Sequence, residues 1–96
     1  MIIKSGEVTF HKDQHPTMLG SGVRNYSDFI RFDRHFRDVP KVVLSVRNFD
    51  ILNSANARVS LSAADESHDG FELTLHTWAD TRIWALTVSW IAYAAR

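Results

Sequence analysis

The chain is 96 residues with 11 Lys plus Arg against 11 Asp plus Glu, one domain's worth of polypeptide with no net charge to grip nucleic acid or an anionic membrane. Hydrophobic residues make up 45% and aromatic residues 11%, enough to fill a single core, so the chain is not a disordered tail. It holds no cysteine, which removes a disulfide framework, a zinc–thiolate site and a thiol nucleophile together.

Residues 7–10 form the first candidate strand. The start that precedes them is interrupted by Lys4 and Glu7, so it does not read as a secretory signal, and no apolar run is long enough to span a bilayer. Residues 11–27 follow without a strand period and contain Pro16, Gly20, Ser21, Gly22 and Asn25. Irregular segments longer than about 12–15 residues are often functional, and the plain alternative is a crossover between sheets. Residues 29–34 form the second candidate strand, ended well before Pro40. Val42, Leu44 and Val46 then alternate with Val43, Ser45 and Arg47. Beyond the breaker Asn53-Ser54, Val59, Leu61 and Ala63 alternate with Arg58, Ser60 and Ser62. Asp69-Gly70 is the next breaker, followed by Phe71, Leu73 and Leu75 alternating with Glu72, Thr74 and His76. Last, Trp84, Leu86, Val88 and Trp90 alternate with Ile83, Ala85, Thr87 and Ser89. A period of two throughout predicts six half-buried strands in an all-β sandwich or barrel, with residues 1–96 as one domain.

The last two strands can be set in register as a hairpin. A turn centred on Asp80-Thr81 places Phe71 opposite Trp90, Leu73 opposite Val88, Leu75 opposite Leu86 and Thr77 opposite Trp84. A shift of one residue would put Leu86 opposite Thr74 and Val88 opposite Glu72, so packing favours the first register. It assigns Trp84 and Trp90 to the core face. It also sets Trp78 on the polar face with Glu72, Thr74 and His76, where a large aromatic needs a reason.

Catalytic motifs are missing: no Gly-rich phosphate loop, no Gly-x-Ser-x-Gly, no His-Glu-x-x-His. Asp65 and Glu66 are adjacent in a turn and not spaced as an acid–base pair. His11 and His15 lack a carboxylate partner, so no metal site and no cofactor is expected. Binding is the better class than catalysis.

The run from Gly70-Phe71 through the alternating strand to Thr77-Trp78, a short turn, Trp84 and then Ser89-Trp90-Ile91 resembles the H-type lectin domain. Pro40 to Val46 and Asn56-Ala57-Arg58-Val59 fit the same family. The resemblance implies a six-stranded antiparallel β-sandwich, assembled as a trimer or hexamer, with glycan sites near subunit boundaries. It implies recognition of terminal galactose or N-acetylgalactosamine-type sugars and action outside the cell or at its surface, without membrane insertion. By position it casts Arg58 as the sugar-binding arginine and Trp78 as an aromatic lining the site. Ala79 stands where the family has a hydrogen-bonding histidine, and Trp84 where it has a tyrosine. The loop acid of the family falls at Gly20-Ser21-Gly22, which has none, so Ser21 and Gly22 are loop candidates without its carboxylate. Asp80 in the turn is a further hydroxyl acceptor, or simply a turn-former.

A sugar offers hydroxyls at its edge and C–H groups on its faces, so a site needs fixed polar groups and an aromatic platform. Arg58 supplies a rigid five-donor fork; the plain alternative is a solvated strand arginine. A single shallow site is weak, and joining several on one assembly raises avidity by roughly 10²–10⁴. Trp78, Ile83 and Ile91, left off the core face, are the expected means of assembly. The competing expectation is a structural or protein-interaction module of the same fold, with the missing loop acid and Ala79 in its favour.

Overall fold

The computed structural model describes residues 1–53 and 56–96. It contains six strands: β1 (Ile2–His11), β2 (Arg24–Arg31), β3 (Lys41–Ile51), β4 (Val59–Ala64), β5 (Gly70–Thr77) and β6 (Ile83–Ala94). They form two antiparallel three-stranded sheets, ordered β1-β6-β3 and β2-β5-β4. The predicted β-sandwich is the observed one. Ser54, part of the predicted breaker, lies outside the described residues.

Each sheet is centred on the strand with the cleanest alternation. On β5, Phe71, Leu73, Leu75 and Thr77 are all fully buried; on β6, Leu86 and Val88 are fully buried and Trp90 and Ala92 continue the same face. Side chains alternate across a strand, so a period-two apolar pattern makes one dry face per sheet, and two such faces close on each other. Aromatic rings fill the gap: Phe71 meets Trp90 edge-on at 5.5 Å between centroids, and Phe32 meets Phe36 at 5.0 Å.

The hairpin register is overturned. β5 and β6 share no ladder; β5 pairs with β2 and β4, and β6 with β1 and β3. Phe71 and Trp90 do meet, but across the core rather than along a sheet. Opposing two apolar faces in a hairpin or across a sandwich buries nearly the same residues, so packing alone could not choose. Residues 78–82 carry the chain from one sheet to the other, with Ala79 in a left-handed conformation (φ 60°).

Two β-bulges correct other expectations. On β6 the pairing steps from Ala85 to Ile83, so Trp84 is the extra residue and turns out to solvent while Ile83 becomes fully buried. The predicted faces are therefore exchanged at the start of β6: Trp84 leaves the core, and Ile83 is not available for assembly. On β3 the pairing steps from Val46 to Asn48, which leaves Val46 exposed and brings Phe49 and Ile51 inward.

The strand limits also differ. β1 begins at Ile2 rather than residue 7, and β2 spans Arg24–Arg31 rather than residues 29–34. The irregular segment shrinks to residues 12–23. It holds a short 3-10 turn, Pro16–Leu19, whose Met18 is fully buried. Proline at its start is pre-set for that turn and has no N–H to lose.

Candidate functional site

Three segments converge at the end of the sandwich where β5 finishes. The last pair of the β4–β5 ladder is Val59 with Thr77. One residue beyond it on each strand lie Arg58 and Trp78, which continue the outer face of the β2-β5-β4 sheet. Arg58 is exposed and Trp78 half-buried.

The backbone under Arg58 is pinned by two buried threonines. Thr81 Oγ1 accepts from the Arg58 N–H at 3.0 Å and donates to the Asn56 carbonyl at 2.6 Å. Thr77 Oγ1 donates to the Arg58 carbonyl at 2.6 Å. Both threonines are fully buried, so their hydroxyls depend on these partners within the fold. Asp80 accepts from Asn56 Nδ2 at 3.2 Å. That hydrogen bond is the main reason the Asp80 carboxyl sits below the usual carboxylate range, with the Arg58 charge adding a smaller pull.

The 12–23 segment is fastened to the same place by a residue the sequence reading passed over. Arg24 is buried, and among the described residues its guanidinium binds backbone carbonyls: Nε donates to Gly22 at 2.9 Å, Nη1 to Thr17 and Met18 at 3.2 Å each, and Nη2 to Ala79 at 3.4 Å. The Ala79 carbonyl also accepts from the Gly22 N–H at 2.8 Å. The loop is thereby tied to the β5–β6 link, and Ser21 and Gly22 are carried to the Trp78 end. Arg24 shares a face with Tyr26 and Ile30 in strand alternation, and that was the available signal.

Arg58, Trp78, Ala79, Asp80, Ser21 and Gly22 are therefore gathered at one pole. Trp84 follows just beyond the same link, near the start of β6. It belongs to the other sheet, is 42% exposed, and has the Lys12 ammonium 4.2 Å from its ring centroid. Among the described residues, no cluster of three or more His, Cys, Asp or Glu is arranged to hold a metal ion, and no helix is long and apolar enough to cross a membrane. Two clefts of about 460 Å³ each lie at the opposite pole around Arg31 and Asp33.

Fold and surface together define a small antiparallel β-sandwich of the binding-module kind. A profile of the H-type lectin domain matches residues 27–93, and the chain belongs to that family. Among curated relatives it is 30% identical over 73 residues to ATP synthase subunits region ORF 7 of Fuscovulum blasticum, covering 76% of this chain and 64% of that one. It is 28% identical over 76 residues to discoidin-1 of Dictyostelium discoideum, covering 78% of this chain and 30% of that one. The chain thus spans less than two-thirds of either relative. The structure of recombinant discoidin II of Dictyostelium discoideum superposes with a TM-score of 0.83 over 95% of this chain and 36% of that one. At 24% identity, that likeness speaks for the fold.

Proposed function

We propose that the chain is a multivalent lectin for terminal galactose or N-acetylgalactosamine-type sugars, bound at the Arg58–Trp78 pole. The observation that carries the reading is that an arginine, on a backbone held by two threonines, and an indole lie one residue beyond the same strand pair. The donors answer two neighbouring hydroxyls, and the indole face answers the sugar's C–H surface. Ser21, Gly22 and Asp80 border the same pole and supply further polar groups. Ala79 contributes its backbone shape, since its carbonyl is already occupied by Gly22 and Arg24. Chemistry on the ligand has no place in this reading: the protein is a binding module without a cofactor.

Assembly as a trimer, or a hexamer of two trimers, is part of the proposal. The outer face of the β1-β6-β3 sheet carries Ile3, Val43 and Ile91, which are 63%, 53% and 47% exposed. Ile91 is paired directly with Val43, and Ile3 lies one rung away beside Tyr93. An apolar patch of this kind fits contact between copies. Solution scattering at micromolar concentration tests it, and a monomer there defeats it.

The site is tested by a glycan array with the intact protein and with Arg58→Ala. Binding to terminal galactose-type glycans that vanishes in the variant supports lectin and site together. A folded oligomer that binds no glycan supports the rival reading, a structural module of this fold, which the acid-free loop at Ser21 and Gly22 favours.

A further inference from the structure

His76 lies two residues before Trp78 on the outer face of β5 and is held from two sides. Its ring stacks on the Trp78 indole, with centroids 5.1 Å apart and planes 26° from parallel. Its Nδ1 is hydrogen-bonded to Asn25 Oδ1, and Asn25 is its direct cross-strand partner on β2. The bond to Asn25 restrains the plane of the imidazole ring. Ser60, small and on the other side in β4, completes the rung without crowding the imidazole.

Trp78 is half-buried. It follows the last residue of β5, precedes the left-handed Ala79, and is not part of the buried core. Among the described residues, His76 provides its aromatic contact. An indole left free to rotate would lose that freedom whenever a ligand settled on it, and affinity would fall accordingly.

We propose that His76, oriented by Asn25, is a positioning residue that fixes the Trp78 indole as a preformed platform beside Arg58. This rests on the reading of Arg58 and Trp78 as the sugar site. One face of the indole is taken by the imidazole, and the ligand uses the other. The device sits on the sheet, not in the loop, so it is rigid before ligand arrives.

The test is fluorine NMR on protein carrying 5-fluorotryptophan, with the three tryptophan lines assigned by Trp→Phe at each position. In His76→Ala the Trp78 line moves and sharpens, while the Trp84 and Trp90 lines stay. Affinity for the best glycan on the array falls about fivefold to tenfold, the weight of one aromatic stack. His76→Phe keeps a flat ring and restores most of both readouts, and Asn25→Ala loses part of each. A Trp78 line unmoved in both His76→Ala and Asn25→Ala overturns the proposal, as does a moved line with unchanged glycan affinity. If the unaltered protein binds no glycan, the sugar-site reading falls, and the Trp78 line alone still decides whether His76 positions the indole.

Discussion

Replacing Arg24 by methionine isolates what its guanidinium does, because the apolar stem is kept and only the donors go. Four carbonyls lose a charged partner, at 2.9, 3.2, 3.2 and 3.4 Å. Hydrogen bonds from charged donors contribute about 1.5–3 kcal/mol each, but these share one group and the longest is at the limit of good geometry. Three of the four bonds are only part-buried, so water replaces much of what is lost there. The carbonyl of Met18 is the buried one and bears the full cost. The sum is about 2–4 kcal/mol, or a drop of roughly 10–25 °C in Tm for a domain of this size. Urea unfolding at one fixed protein concentration reads the stability, since the proposed assembly would make the midpoint concentration-dependent. Amide exchange reads the location: residues 17–22 should lose protection before β5 and β6 do. Arg24→Lys should recover only part, because a point charge cannot span carbonyls from Thr17 to Ala79. A change under about 0.5 kcal/mol, or a loss of stability with loop exchange unaltered, would refute the view that this arginine staples the loop to the β5–β6 link.

Thr81→Val keeps the shape but removes the hydroxyl that holds the Arg58 N–H and the Asn56 carbonyl. It should cost about 1–3 kcal/mol and weaken glycan binding, and unchanged binding would show that the Arg58 backbone needs no such pin. Gly70→Ala would set a methyl 2.2 Å from the Ile30 carbonyl oxygen, so the β2–β5 pair must separate and soluble folded protein should be lost. Gly6→Ala meets the Trp90 ring at 2.7 Å and should be milder than Gly70→Ala by thermal melting; the reverse order would contradict this reading. Asp80 has its pKa lowered by folding, so its contribution is present above the unfolded value of about 3.9 and is lost as pH falls through the folded one. Carboxyl carbon NMR should place its midpoint higher in Asn56→Ala, and an unmoved midpoint would mean that the Asn56 hydrogen bond is not the cause.

The six strands were legible because burial on one face of a strand forces a period of two, and β5 and β6, the two central strands, obey it almost without exception. Their partners were not legible. A hairpin between β5 and β6 and a sandwich that opposes them bury nearly the same residues, Phe71, Leu73, Leu75, Leu86, Val88 and Trp90, so the pattern of side chains does not separate the two. The bulge at Trp84 was hidden for a related reason. One extra residue exchanges the faces of everything beyond it, and alternation counted backwards from Trp90 runs straight through the irregularity.

Trp78 stood out as a large aromatic on a polar face, Arg58 was singled out by the resemblance to the H-type lectin domain, and alternation set both off the core face. The supports beneath them did not stand out. Thr77, Thr81 and Arg24 act through backbone carbonyls and N–H groups, which every residue carries, so no pattern of side-chain types marks their partners. Strand alternation did carry one usable rule: a charged residue that falls on the core face, as Arg24 does beside Tyr26, must find its hydrogen bonds inside the fold. With no carboxylate among its partners, Arg24 finds them in carbonyls of the loop and of the β5–β6 link, and that requirement is what draws the 12–23 segment onto the Trp78 pole.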